Sequence, residues 1–360
     1  MKENIYSVIA GTGSFIPENV ILNSDFMQST FYDQDKKNID TPNEDLISKF
    51  QKITTISERR YADDHMVTSD MAFLAAKDAL ESSDIDPESL DLIIVAHNFG
   101  NVKKNNRKSD LVPSLAARVK YHLGIKNPNT VAFDLIFGCP GWLQGMIQAD
   151  YQIKSGNAQR IMVIGAEMLS RVSDPHDRDS MIYSDGAGAT ILQAVHSEVP
   201  LGMIAHAVRT DAFNEAHYLE MKESNSPDYS GSELYLKMQG RKLYEYALNQ
   251  VPQLVKDCIT KSNLEFDQIS KVLIHQANGK MDEAILHRIC QLFGKKSDPA
   301  KLMPMTIDKL GNSSTATLPT LLDLILKNKM KDHDLNKDDY TVFASVGAGM
   351  NINAFTYKFA

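Results

Sequence analysis

The chain has 360 residues, 43% hydrophobic and 23% charged, with a formal net charge of −8. That is an ordinary composition for a soluble globular protein, long enough for one large core or two fused ones. No run of about 18 apolar residues occurs, so no membrane-spanning helix is expected, and the negative balance argues against general nucleic-acid binding.

The N-terminal stretch MKENIYSVIAGTGSFIP carries one Lys and a short strand-like run. It lacks the long apolar centre of a secretory leader. GTGSFI, from Gly11, is missing the third glycine of a dinucleotide fingerprint and reads as a turn after the first strand. Residues 29–45 are polar and read as a loop or cap segment. MAFLAAKDALES, from Met71, has a helical pattern, and LDLIIVAHN, from Leu90, reads as a buried strand. Residues 99–110 read as a loop and hold the one dense basic run, with Lys103, Lys104, Arg107 and Lys108. FDLIFGCPGWLQGM, from Phe133, passes from an apolar strand through Gly-Cys-Pro-Gly into a helical pattern. RIMVIGAEM, from Arg160, is a second apolar strand. Asp174, His176, Asp177 and Asp179 resemble metal ligands in composition but read as a hydrogen-bonded loop. Residues 205–232 read as loops or a cap segment. LVKDCITKS, from Leu254, is helical, and VLIHQAN, from Val272, is a strand ending at His275. IDKLGNSSTATLPTLL, from Ile307, places Asn312 before a helix, and YTVFASVGAGM, from Tyr340, closes on a glycine-rich strand end.

Three of these segments repeat. SDIDPESLDLIIVAHN matches SNLEFDQISKVLIHQAN, FDLIFGCPGWLQGM matches IDKLGNSSTATLPTLL, and RIMVIGAEM matches YTVFASVGAGM, in the same order about half a chain apart. The repeat implies two related α/β halves, residues 1–190 and 191–360, with mostly parallel sheets covered by helices. It also sets Cys139 and Asn312 at corresponding corners.

Cys139, Cys258 and Cys290 cannot all pair and show no metal-ligand spacing, so a cytoplasmic chain with reduced thiols is expected. Cys258 and Cys290 sit in amphipathic helical patterns and read as core. Cys139 fits either a buried structural thiol or a nucleophile. With Pro140 in the first helical position, Cys139 caps a helix whose positive end is expected to lower the thiol's pKa. A nucleophilic thiol needs a partner within hydrogen-bond reach. His275, at the end of a buried strand, and Asn312, at the matching corner, are the candidates.

These blocks resemble the three catalytic segments of β-ketoacyl-acyl carrier protein synthase III, a family of thiolase-like condensing enzymes. The resembling residues are Gly-Cys-Pro-Gly, His275-Gln276-Ala277-Asn278, and Gly311-Asn312-Ser313-Ser314-Thr315-Ala316. Asp174 to Arg178, Tyr183 to Ala189 and Ser345 to Met350 match further segments. The resemblance implies a duplicated thiolase-like αβαβα five-layer sandwich that forms a homodimer and needs no metal or organic cofactor. It implies that Cys139 holds the acyl group and that His275 and Asn312 donate to an enolate. Backbone N–H groups of Cys139 and Ala348 then hold the oxyanion. It implies an acyl carrier protein or coenzyme A thioester as partner. Arg178 then flanks the coenzyme A adenine, with Lys49 in place of the usual aromatic on the other side. Lys280 and Arg241 dock the phosphopantetheine. Val112, before Pro113, stands where the family often lends a Phe across the dimer to cap the acyl pocket, and the smaller side chain suggests a longer or bulkier acyl chain. Three other readings share the fold: a ketosynthase joining two long acyl chains, as in dialkylresorcinol-type pathways, a non-condensing acyltransferase, and a non-catalytic dimer partner.

Overall fold

The computed structural model describes residues 4–296 and 298–360. The first three residues of the stretch weighed as a leader lie outside the described residues. The site is positioned by nine strands: β1 (Asn4–Phe15), β2 (Leu92–His97), β3 (Val131–Ile136), β4 (Arg160–Met168), β5 (Asp185–Ser197), β6 (Gly202–Thr210), β7 (Ile269–Ile274), β8 (Tyr340–Gly347) and β9 (Asn351–Lys358). Six helices cover them: α1 (Asn43–Thr54), α2 (Thr68–Glu81), α3 (Gly141–Lys154), α4 (Gly240–Lys261), α5 (Gly279–Leu292) and α6 (Thr317–Leu326).

The strands form two sheets, in the orders β1-β5-β4-β2-β3 and β6-β9-β8-β7. In the first sheet β2 runs parallel to β4, β4 antiparallel to β5, and β5 antiparallel to β1. The second repeats that pattern with β7, β8, β9 and β6. The repeated sequence segments therefore occupy equivalent positions: β2 with β7, β4 with β8, and α3 with α6. Residues 307–310 form a helical turn where the first half has β3, so the two corners share a helix start but not the strand before it.

Side-chain alternation builds the layers. Ile94, Ile161 and Val163 face inward, as do Leu273, Phe343 and Phe355 of the other sheet, and all pack on Trp142, Leu143, Leu318 and Leu321 of α3 and α6. Ile93, Val95, Met162 and Ile164 face outward against α2. Val272, Ile274, Val342 and Ala344 face α4 and α5 on the far side. Strands covered on both faces must be apolar at every position, which is why these runs do not alternate in the sequence. The result is five layers, α2, sheet, α3 with α6, sheet, and α4 with α5. Cys258 and Cys290 belong to the outer core of the second half.

Four readings change. Residue 190 lies inside β5, and the chain crosses between sheets at 198–201 rather than at 190/191. Gly11 and Gly13 sit within β1, not in a turn; a Cβ on Gly13 would lie 2.2 Å from the Ala79 nitrogen, so α2 packs directly on the strand backbone. Residues 101–103 and 106–110 pair as a hairpin anchored by buried Val102. Within 205–232, β6 continues to Thr210 and residues 219–222 pair with 235–238. The first pair carries polar residues on its open face and the second buries Lys237 against Asp174 and Asp177, which hid their period in the sequence.

Candidate active site

The apolar strand β3 ends at Ile136, and the chain turns through a Gly141 N–H to Gly138 C=O bond of 2.7 Å. Pro140 is the cap of α3, and Gly141 is its first helical residue, one position later than expected. From the other half, the end of β8 comes against this corner. A Cβ on Gly347 would lie 2.5 Å from the Cys139 nitrogen, and one on Gly138 would lie 2.7 Å from the Ala348 nitrogen. Only glycine permits that approach, and it brings the Cys139 and Ala348 amides together.

His275 follows β7, its N–H bonded to the Ala344 carbonyl at 2.8 Å. Gln276 points the other way: its Oε1 accepts from the Thr306 and Ile307 N–H groups, and its Nε2 donates to the Pro304 carbonyl. It thereby ties the loop that leads to Asn312 onto the strand that ends at His275. Asn278 caps α5 through the Met281 N–H. Asn312 Oδ1 accepts the Ser314 N–H at 2.8 Å, which leaves the amide Nδ2–H groups as its free donors.

Cys139, His275, Asn312 and Ala348 all line one cavity of about 750 Å³. Both ring nitrogens of buried His275 lack a protein partner among the described residues, so no protein group fixes its tautomer. Burial pushes the imidazole down to about 4, which keeps it neutral at pH 7. The expected low-pKa thiolate is not found. Burial pushes the Cys139 thiol up to about 11; the Ser314 hydroxyl opposes the rise and Glu167 adds to it. A helix terminus is worth about 0.3–1 kcal/mol, less than one pKa unit, and burial outweighs it. The site therefore holds a neutral thiol and a neutral imidazole on the wall of one cavity.

Residues 133–212 match the family described as 3-oxoacyl-[acyl-carrier-protein (ACP)] synthase III, and residues 259–359 match the description of its C-terminal part. The β-ketoacyl-[acyl-carrier-protein] synthase III 1 of Vibrio vulnificus is 31% identical over 99% of this chain and 100% of its own length. That of Vibrio parahaemolyticus is 32% identical over the same shares. The chain belongs to the 3-oxoacyl-[acyl-carrier-protein] synthase III family. The crystal structure of the synthase III from Aquifex aeolicus matches with a TM-score of 0.79 at 28% identity, covering 98% of this chain and 100% of that one. The protein is thus a ketoacyl synthase III-type acyltransferase with the thiolase-like fold.

The other expected synthase residues divide. Lys49, Arg178 and Arg241 line the cavity, together with an apolar wall that includes Leu46, Phe50, Ile53, Leu219, Leu236 and Met238. Lys280 does not line it; it is exposed on the first turn of α5, 3.3 Å from Glu283. Val112 is 85% exposed and also lies outside the cavity wall. Of the basic run, Lys104 pairs with Asp64, and the Arg107 guanidinium lies over the Tyr235 ring. Asp174 accepts from Ser224, Asn225, His176 and Lys237, a hydrogen-bonded loop as read. Asn98 and Glu167, polar residues just past or near the ends of β2 and β4, escaped the sequence reading. Asn98 lines the cavity, and Glu167 is buried and bonded to it. An acid closing an apolar strand, in VIGAEM, was the available signal.

Proposed function

We propose that Cys139 takes an acyl group from a thioester and that the acyl group is then joined to a malonyl or β-ketoacyl thioester, in fatty-acid or polyketide-type biosynthesis. The observation that carries this reading is the meeting of a thiol, an unpartnered imidazole and an oriented amide in one cavity. In the first step a bond forms from Cys139 Sγ to the acyl carbon and the donor's C–S bond breaks. The thiol proton passes to His275 and on to the departing thiol. The Cys139 and Ala348 amides hold the tetrahedral oxygen. In the second step a malonyl thioester loses carbon dioxide, and the electron pair moves into an enolate. His275 and Asn312 Nδ2–H donate to that oxygen. The enolate carbon attacks the acyl carbonyl, the acyl C–S bond breaks, and Cys139 leaves as a thiolate that takes a proton from solvent. Two donors serve this step better than a second base, because no proton is abstracted, and Asn312 therefore favours condensation over plain acyl transfer.

Lys49, Arg178 and Arg241 support recognition of the phosphate-bearing arm of a carrier protein or coenzyme A, and Lys49 in place of an aromatic favours the carrier protein. Lys280 fits a docking contact outside the cavity. The apolar wall supports an acyl chain longer than acetyl. A homodimer is supported by β3, an edge strand with exposed Val131, Phe133 and Ile136. In that assembly Val112 serves the partner's acyl pocket. Among the described residues no helix is long and apolar enough to cross a membrane, in keeping with a cytoplasmic site of action. We read the two halves as carrying the nucleophile and the His-Asn pair respectively. Intact-mass analysis after incubation with acetyl, octanoyl and myristoyl thioesters of coenzyme A and of carrier protein tests the first step. A Cys139 adduct, absent in Cys139→Ser, is expected; labelling of Cys258 or Cys290 alone refutes it.

A further inference from the structure

We infer that Glu167, Asn98 and Ser314 form a buried hydrogen-bond relay that fixes a donor on the Cys139 sulfur and turns its S–H toward the cavity. This rests on the reading of Cys139 as the nucleophile. Glu167 is fully buried, and among the described residues no cation pairs with it. Its Oε2 accepts from the Asn98 backbone N–H at 3.0 Å and from Asn98 Nδ2, while Oε1 has no partner. Because an ionised carboxylate only accepts, Asn98 must present its amide nitrogen, and the amide cannot turn. The second Nδ2 hydrogen goes to Ser314 Oγ at 3.1 Å. Ser314 Oγ then has its single proton left for Cys139 Sγ, at 3.4 Å. Each bond sets the direction of the next.

The backbone holds the end of the relay in place. Ser314 has φ of 53°, a left-handed conformation that non-glycine residues seldom adopt. Its N–H is held by Asn312 Oδ1. The contact that frees Asn312 Nδ2 for the cavity thus also sets the Ser314 hydroxyl against the sulfur. Burial pushes Glu167 up to about 7 against the opposing Asn98 bonds, with His97 and Asp185 the titratable groups facing it. Oε2 remains the acceptor on either side of that pH, because Oε1 can carry the proton. No proton passes along the relay. Glu167 and Asn98 are positioning residues, and Ser314 alone touches the reacting atom.

The test is the rate at which iodoacetamide alkylates Cys139 in the full-length chain at a fixed pH of about 8.5, read from the mass of the Cys139 peptide. Ser314→Ala and Ser314→Gly both lose the donor, and each is expected to react about tenfold more slowly, as for one hydrogen bond to a charged group. Glycine accepts φ of 53° freely, so Ser314→Gly keeps the test open if the alanine variant folds poorly. Asn98→Ala slows the reaction by the same factor, and Asn98→Ala combined with Ser314→Gly is no slower than Ser314→Gly alone. Glu167→Gln keeps an acceptor for Asn98 and removes the charge that raises the thiol, so it reacts at the wild-type rate or faster, whereas Glu167→Ala is slower than Glu167→Gln because Asn98 loses its acceptor. A wild-type rate in Ser314→Gly, additive losses, or an equal loss in Glu167→Gln and Glu167→Ala overturns the relay. Acyl loading of wild-type Cys139 is measured alongside. If no acyl group is taken up, the acyl-transfer reading fails by itself, and the relay is still decided by the alkylation rates.

Discussion

Replacing His275 by alanine separates two ways in which a thiol and an imidazole can work together. With Cys139 pushed up to about 11 and His275 down to about 4, each is charged in only ~0.03% of molecules at a pH of about 7.5. A free thiol near 8.5 is ~9% thiolate at that pH, so Cys139 is expected to alkylate ~300-fold more slowly. Because His275 is neutral, His275→Ala removes no charge from beside the sulfur. At each pH between about 6 and 9 the alkylation rate of His275→Ala should therefore lie within about threefold of the wild-type rate at the same pH. Acyl loading, which needs a proton acceptor at the moment of attack, should fall by ~10²–10⁴. Both are read on one sample, alkylation by peptide mass and loading by intact mass. A wild-type alkylation midpoint below a pH of about 8 that moves upward in His275→Ala would reveal a preformed thiolate–imidazolium pair, and the neutral-pair account would be wrong.

Asn312→Ala should keep acyl loading of Cys139 and lose ~10²–10³ in condensation, as for removal of one oxyanion donor; parallel rates of adduct formation and product release check this. Gly347→Ala forces a Cβ to within 2.5 Å of the Cys139 nitrogen, so the corner must open at a cost of about 1–3 kcal/mol, visible as a lower denaturant midpoint together with slower loading. Lys237→Met leaves Asp174 and Asp177 without their cation and should destabilise the fold by about 3–5 kcal/mol. Burial works to raise Asp174, but Lys237 and two backbone N–H groups hold its carboxyl below the ordinary range. Its stabilisation is therefore full above the unfolded value of about 4 and is lost as pH falls through the lower folded value. Acid unfolding of Lys237→Met should begin at higher pH than that of the wild type.

The candidate trio of Cys139, His275 and Asn312 was legible because each member borders a segment with a strong local signature. Cys139 and Asn312 open helices that pack face to face with both sheets, and His275 follows the apolar run Val272–Ile274 that ends its strand. The half-chain repeat converted three separate corners into one site, and the sheets carry that repeat in their strand directions. What stayed hidden depends on tertiary contact. Cys139 lines the cavity and is only half-buried, yet desolvation by residues from both halves pushes its thiol up and outweighs the local helix end. Gly11 and Gly13 look like a turn because a strand with two glycines lacks side chains to pack; α2 needs that bare backbone, which no local pattern records. Residues 101–110 pair as a hairpin despite carrying Lys103, Lys104, Arg107 and Lys108, because buried Val102 and Asn101, the latter bonded to Ser69, anchor them. Asn98 and Glu167 lie 69 residues apart and meet only because β2 and β4 are neighbours.

The central claim is decarboxylative condensation on an acyl-Cys139. Enzyme pre-loaded with an acyl group and freed of donor is mixed with malonyl carrier protein, while adduct mass and carbon dioxide are followed together. The account predicts that the adduct disappears with release of one equivalent of carbon dioxide and that a β-ketoacyl group forms on the carrier protein. Loss of the adduct without carbon dioxide, to water or to another acceptor, would contradict it.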